Sequence, residues 1–308
     1  MELHQLRTFA AVADARHLTR AAERLHLSQP AMSAHIRALE QEFGTRLFER
    51  TASGMEITRS GRELLQYAER VLAAAGSLRN AASALQGRIA GHLRIGTVVD
   101  PELLRLGQFL ARALELHPGM ELELRQEVSG AALEAVRAGA LDASFYFGEI
   151  ASPEVAGIRL SDIGYRVVAP AAWAERVRGA DWRRLAALPW ILTPSISTLH
   201  RMVQELFEQN EVAPQRIIEA DNEQVIANLV AAGVGLSVMR EDLAEARRRA
   251  GEIVRLKKIH PRLTLWFIYR ADRTGDPALA ALLEVLRETW SGARSAQEPR
   301  HAPAPVEA

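Results

Sequence analysis

From Leu64 to Leu85 apolar side chains return at alternating intervals of four and three residues: Leu64, Ala68, Val71, Ala75, Leu78, Ala82 and Leu85. That alternation is the seam of a coiled coil over about three heptads, along which two chains pair. The alanines in it allow close approach but bury little area, so pairing needs help from other surfaces. The same stripe also suits a helix packed on its own domain, and that alternative stays open here. Gly87 and Gly91 follow, ending the helix and supplying a hinge. The run divides the chain into residues 1–58, a linker helix at 59–88, a larger segment at 92–291, and a tail at 292–308.

A length of 308 residues agrees with two or three domains. The composition, 48% apolar and 25% charged, is that of a globular protein, and no run nears the ~18 apolar residues of a membrane helix. The start, Met1-Glu2-Leu3-His4-Gln5, lacks a cationic stretch followed by an apolar core, so the cytoplasm is expected and a membrane is not. With no cysteine, disulfides, thiolate zinc, iron–sulfur ligation and thiol redox sensing are excluded. The nine histidines show no i, i+4 pairing, and neither metal nor cofactor is expected. Net charge is zero, yet residues 1–90 hold twelve arginines against nine acids, which points to an anionic partner at the front.

At the front, Leu3, Leu6, Phe9, Ala10 and Ala13 follow helical spacing, and a short helix is expected behind Thr19 as its cap, burying Ala21, Ala22 and Leu25. His26-Leu27-Ser28 makes a turn, Ser28 caps the next helix, and Pro30 stands in a first turn that tolerates its missing N–H. On this third helix Met32, Ile36, Leu39 and Phe43 form a buried stripe, while Pro30, Ser33, Ala34, Arg37 and Gln41 project elsewhere. Small and polar residues there suit a helix lying in a major groove, or a solvated face. Residues 46–58, with a turn at Ser53-Gly54, read as a wing whose Arg46, Arg50 and Arg59 reach the DNA backbone or minor groove.

Ala21-Ala22-Glu23-Arg24-Leu25, Leu27 to Ser33, Ile36 to Glu40, Leu47 to Arg50 and Thr58-Arg59-Ser60-Gly61 together resemble the signature of LysR-type transcriptional regulators. The resemblance implies that Gln29, Pro30, Ser33 and Arg50 lie at the DNA; the candidate DNA-binding set is Thr19, Ser28, Gln29, Pro30, Ser33, Arg37, Arg50 and Arg59. Two recognition helices in a dimer predict an interrupted palindrome in double-stranded DNA. The resemblance further implies a homodimer assembling to a homotetramer, RNA polymerase as a partner, and control of a nearby gene. Ala34 stands where members often carry a longer polar or basic residue.

Beyond His92 short β-rich runs alternate with amphipathic helical stretches. The fold class is therefore α/β, with a largely parallel sheet behind an all-α winged helix-turn-helix and the long coiled-coil linker. Strands are read at Leu93–Val98, Leu122–Glu127, Ala143–Phe147, Tyr165–Ala169, Trp190–Thr193, Ile217–Glu219, Leu236–Met239 and Leu263–Tyr269. They group into two Rossmann-like lobes, at about 92–162 with 266–291 and at 163–265, around a cleft for a small-molecule effector. This resembles the LysR effector domain, itself like periplasmic binding proteins, and the match includes Asp142 and the run Ala231 to Leu236. Met239-Arg240 replaces the family's usual Leu-Pro. Candidate effector residues are Thr97, Asp100, Ser129, Phe147, Ser197, Thr198, Asn222 and Glu223, although each hydroxyl alone is also a plain helix cap. Phe145-Tyr146-Phe147 stands where members that read aromatic acids can carry an arginine. With Asp100 adding negative charge nearby, the effector is expected not to be held chiefly through a carboxylate and to have an apolar or aromatic part with a donor or cationic group.

Gly233-Val234-Gly235 follows a helix and precedes a strand, the reverse of a dinucleotide fingerprint, and reads as a turn. Arg247-Arg248-Arg249 reads as a solvated helix end, and the tail as disordered. Two other classes compete with a regulator. An enzyme on a two-lobed scaffold lacks any nucleophile, carboxylate or metal motif. A transport receptor would need export and would leave the first 90 residues without purpose.

Overall fold

The computed structural model describes residues 1–51, 54–98, 101–256 and 259–297, with side chains for all of these except Arg50 and 292–297. Helices α1 (Leu3–Ala15), α2 (Leu18–Leu25) and α3 (Gln29–Phe43) pack around Leu6, Phe9, Val12, Met32, Ile36 and Leu39. The Ser28 Oγ accepts from the Ala31 N–H at 3.3 Å and caps α3, as its sequence requires. Thr19 is not the cap of α2. That helix starts two residues earlier than a Thr19 cap would place it, behind His17, because Leu18 is buried in the same core. Strands β1 (Phe48–Thr51) and β2 (Gly54–Ile57) pair antiparallel as the wing. Gly54 is obligatory: its φ is 138°, and a Cβ there would meet the Arg16 carbonyl at 2.6 Å.

Helix α4 (Arg59–Leu85) is capped by Thr58, whose Oγ1 accepts from Gly61 N–H at 2.9 Å. The larger segment then runs β3 (Ala90–Thr97), α5 (Leu106–Leu116), β4 (Gly119–Gln126), α6 (Ser129–Ala138), β5 (Ala143–Phe147) and β6 (Val155–Pro170). Next come α7 (Ala174–Val177), α8 (Trp182–Ala186), β7 (Pro189–Leu192), α9 (Thr198–Gln209), β8 (Arg216–Glu219), α10 (Glu223–Ala231) and β9 (Ser237–Arg240). The chain closes with α11 (Glu241–Arg249), β10 (Ile253–Arg255), β11 (Arg262–Arg270) and α12 (Pro277–Gln297). The helix α12 thus passes the expected end at 291; residues 298–308 of the expected tail lie outside the described residues.

The sheet is mixed, which corrects the expectation of a largely parallel one. Strand β3 pairs parallel with β4 and β5, but β11 runs antiparallel to both β5 and β6. The cause is β6, half of which, from Val155 to Gly164, alternation did not mark. It pairs with β11 as far as Gly164 and with β9 and β10 from Tyr165 onward, so one strand serves two sheets. Each lobe keeps its own core, around Phe109, Phe145 and Phe267 in the first and around Trp190, Phe207 and Val238 in the second.

The hinge expected at Gly87 to Gly91 is only half present. Gly87 lies past the helix end at φ 71°. Gly91 belongs to β3 and is pressed against Asn80 of α4, leaving no room for a side chain. Asn80 Nδ2 donates to Asp276 Oδ1 at 3.2 Å and Ser77 Oγ to Asp276 Oδ2 at 2.8 Å. Arg273 joins Asp276 at 2.6 Å and also pairs with Asp142, which accepts from Arg94 Nε at 3.1 Å. The linker helix is bound to the first lobe through this buried chain of charges.

Candidate DNA interface and effector cleft

Gln29 and Pro30 are exposed at the start of α3, with Arg37 exposed and Ser33 half-buried further along. A groove of ≈ 570 Å³ between α3 and the wing brings together Ser33, Arg37, Arg46 and Glu49 over a floor of Leu18, Ile36 and Phe48. Glu40 Oε1 holds the wing against α3 by accepting from Leu47 N–H at 2.8 Å. Thr19 and Ser28 are exposed nearby, and Arg59, at the start of α4, pairs with Glu63 at 3.4 Å. The expectations for the Arg50 side chain and for Asp100 lie outside the described residues.

Between the lobes a small cavity of ≈ 50 Å³ is lined by Ser129, Phe147, Ser197 and Glu223 of the expected set. Val98, Val128, Tyr165, Thr193, Leu199, Asp221 and Leu263 line it as well, and sequence reading missed them. Thr97 is buried one residue short of the cavity and donates to the Arg125 carbonyl at 3.3 Å. Thr198 is buried at the start of α9, close to Gly148. Asn222 caps α10, its Oδ1 accepting from Gln224 and Val225 N–H at 2.9 and 3.1 Å. Two buried hydroxyls, Thr193 Oγ1 and Thr198 Oγ1, have no hydrogen-bond partner among the described residues. Beside the cleft, buried Arg240 is forked onto Asp242 at 2.8 and 2.7 Å and reaches Glu223 at 3.0 Å. This clasp gives a physical account of Met239-Arg240: an arginine is tolerated at the end of β9 because two carboxylates neutralise it. Burial pushes the Tyr165 hydroxyl pKa well up, with Glu223 adding to the shift, so it stays a neutral donor.

The exposed stripe of α4 is Tyr67, Val71, Ala74, Leu78, Ala81 and Leu85, again spaced four and three. Tyr67 is 64% exposed, Leu78 73% and Leu85 90%. Of the expected seam, Val71, Leu78 and Leu85 lie on this exposed stripe. It is turned wrongly at Leu64 and Ala68, which pack on the front core, while Ala75 is half-buried.

A second cavity, of ≈ 590 Å³, lies where α1, α4 and the first lobe meet, and Arg24 of α2 reaches Glu123 of β4 at 3.1 Å across it. Burial there pushes the Glu69 carboxyl up to about 7, against the pull of Arg94 and Arg125, with Asp14 adding to the rise. An acid whose pKa is raised above its usual 4.5 favours the closed arrangement while protonated; that contribution is full below 4.5 and is lost as pH rises through about 7. Thermal melts of Glu69→Gln and the parent should accordingly diverge in the variant's favour from pH 5.5 to pH 8. A pH-independent difference would contradict this.

A helix-turn-helix with a wing, carried by a long helix from a two-lobed cleft, defines a ligand-responsive DNA-binding regulator. Two family models cover most of the chain: "Bacterial regulatory helix-turn-helix protein, lysR family" over residues 3–62 and "LysR substrate binding domain" over residues 86–291. The chain belongs to the LysR family of transcriptional regulators. The regulator IlvR of Caulobacter vibrioides is 32% identical over 297 residues, covering 94% of this chain and 99% of that one. ShiR of Corynebacterium glutamicum is 32% identical over 77% of this chain and 82% of its own length. Among solved structures, a variant of full-length OxyR from Pseudomonas aeruginosa matches with a TM-score of 0.63 at 25% identity, covering 93% and 95% of the two chains. Full-length CbnR complexed with target DNA matches with a TM-score of 0.59 at 25% identity, over 94% and 100%. The relatives are named as regulators rather than enzymes. Among the described residues no helix is long and apolar enough to cross a membrane, and no group of three or more metal-ligating side chains forms.

Proposed function

We propose that this regulator binds an interrupted palindrome as a dimer, with α3 of each protomer in a major groove and the wing on the adjoining backbone. The exposed stripe of α4 carries the reading: a run of apolar side chains at heptad spacing, left in water by a single chain, is a surface for a second copy. The tetramer draws on a different surface. Edge strands β4 and β8 expose Leu124, Ile217 and Ile218, and α10 exposes Val225, so two separate self-contacts are available on one chain. The effector occupies the cleft between the lobes and shifts the lobe angle, and the buried chain from Arg94 to Asn80 carries that shift into the linker. The protein works in the cytoplasm, at a promoter where it meets RNA polymerase.

Ser33 and Arg37 face the groove beside the wing and serve direct contact with DNA, while Gln29 and Pro30 set the helix start against the backbone. The test is a competition titration of the purified protein on the DNA upstream of its own gene against random duplex. The native protein should prefer the upstream fragment, and the variant Ser33→Ala, Arg37→Ala should lose that preference. Each lost phosphate contact should also reduce the salt slope by about one. Equal affinity of native and variant for both duplexes at every salt concentration would contradict the assignment.

A further inference from the structure

Resting on the reading of the inter-lobe cavity as the effector site, the cleft's chemistry narrows the class of molecule. A buried hydroxyl without a partner is costly, so Thr193 Oγ1, over nine-tenths buried and without a partner among the described residues, marks where a ligand atom completes the bonding. Thr193 lines the cavity, with Ser197 at the start of α9 on its own lobe and Ser129 at the start of α6 on the other. The first N–H groups of the two helix starts, which by position have no intrahelical acceptor, add to these hydroxyls, and together they suit one small anionic group. Among the described residues no arginine, lysine or histidine lines the cavity, so a second negative charge would find no cation.

Two carboxylates, Asp221 and Glu223, line the same cavity. The guanidinium of Arg240 pairs with Glu223 and Asp242, and Asp221 takes no part in that clasp. Asp221 follows β8 and Thr193 follows β7, and these strands pair parallel with Leu192 beside Glu219; Ala220 N–H donates to the Leu192 carbonyl at 3.0 Å. The acceptor for a cation and the donor for an anion thus stand at neighbouring strand ends and face one cavity of ≈ 50 Å³. Groups so close match opposite charges borne on one carbon. Phe147, Tyr165, Leu199 and Leu263 supply the remaining wall.

We infer that the effector is a small zwitterionic α-amino acid with an apolar side chain, its carboxylate on the hydroxyls and helix starts, its ammonium on Asp221 and Glu223. A cavity of ≈ 50 Å³ holds little beyond such a head group, so the side chain requires the lobes to part. Binding and lobe movement are then one event.

The experiment is a thermal-shift screen of the full-length protein with the standard L-amino acids, a set of dicarboxylates and a set of aromatic acids, followed by calorimetric titration. For each amino acid that binds, the matched acid lacking the amine and the matched amine lacking the carboxylate are titrated alongside. At least one apolar amino acid should bind, and both matched analogues should bind ten-fold or more weakly. Asp221→Asn should weaken the amino acid at least ten-fold while leaving the matched acid unchanged; Thr193→Val should weaken both. The inference is overturned when no amino acid binds, or when the matched acid binds as tightly as its parent. A dicarboxylate or aromatic acid whose binding disappears in Thr193→Val would overturn it while upholding the cleft as the effector site. A bound amino acid indifferent to Ser129→Ala, Thr193→Val and Asp221→Asn alike would overturn the cleft reading as well.

Discussion

The variant Leu78→Glu, Leu85→Glu should be a folded protein that no longer pairs along α4 and binds its operator at least a hundred-fold more weakly. Both side chains are largely exposed in the single chain, so neither contributes to the monomer's cores and the melting of the two lobes should hold. In a two-fold pair each leucine would be covered, at about 1.5–3 kcal/mol per side chain, and four are lost per dimer. Glutamates facing one another at seam positions add repulsion. A monomer then meets each half-site separately and forfeits the 10²–10⁴-fold gain, in round terms, that linked binding gives. Sedimentation should show the smaller species and the competition titration the weaker binding. A variant that remains a dimer with native affinity would transfer the interface to another surface.

Asp276→Ala should have the largest effect on stability. This buried carboxylate accepts from Ser77 and Asn80 of the linker, from Arg273, and from the N–H groups of Ala278 and Leu279 at 3.0 and 3.2 Å, where it opens α12. Burial alone would raise its pKa; the ion pair with Arg273 overrides burial and holds it below the usual value. A carboxylate with a lowered pKa contributes its stability above the usual 3.8 and loses it as pH falls through the lower native value, so the network is intact at neutral pH. Removing Asp276 leaves the Arg273 guanidinium buried with only Asp142, and breaking a buried pair from one side costs about 3–5 kcal/mol. For a domain of this size that is a fall in Tm of roughly 10 °C. Asn80→Ala, which removes one bond from the linker side, should cost about 1 kcal/mol and loosen the linker without unfolding the lobe. Equal melting of parent and Asp276→Ala would mean that the network is not closed in solution.

Local chemistry made much of the front legible. Ser28 caps α3 and Pro30 stands in its first turn because those preferences depend on neighbours within four residues. The α2 cap was missed for a non-local reason, since the burial of Leu18 draws the helix back by two residues. The linker shows the same limit. Spacing of four and three allows two stripes on one helix, which share Val71, Leu78 and Leu85, and only the packing of α1 on one side and of Asp276 on the other decides which stripe stays in water. The cleft was legible where it coincides with helix starts, at Ser129, Ser197 and Glu223, and at Phe147 at the end of β5. Tyr165, Thr193, Asp221 and Leu263 come from strand ends far apart in the chain, joined by the crossing of β6 between the lobes, and no short-range pattern announces them. Arg240 looked like an unexplained departure from its family because its partners, Glu223 and Asp242, are identified by folding alone.

The most direct test of the central claim, a dimer reading a two-fold site, is a footprint of the native protein on the DNA upstream of its gene. The account predicts two protected half-sites on one face of the duplex, one helical turn or a multiple of it apart, both lost together in Leu78→Glu, Leu85→Glu. Protection of a single half-site that survives in that variant would contradict it.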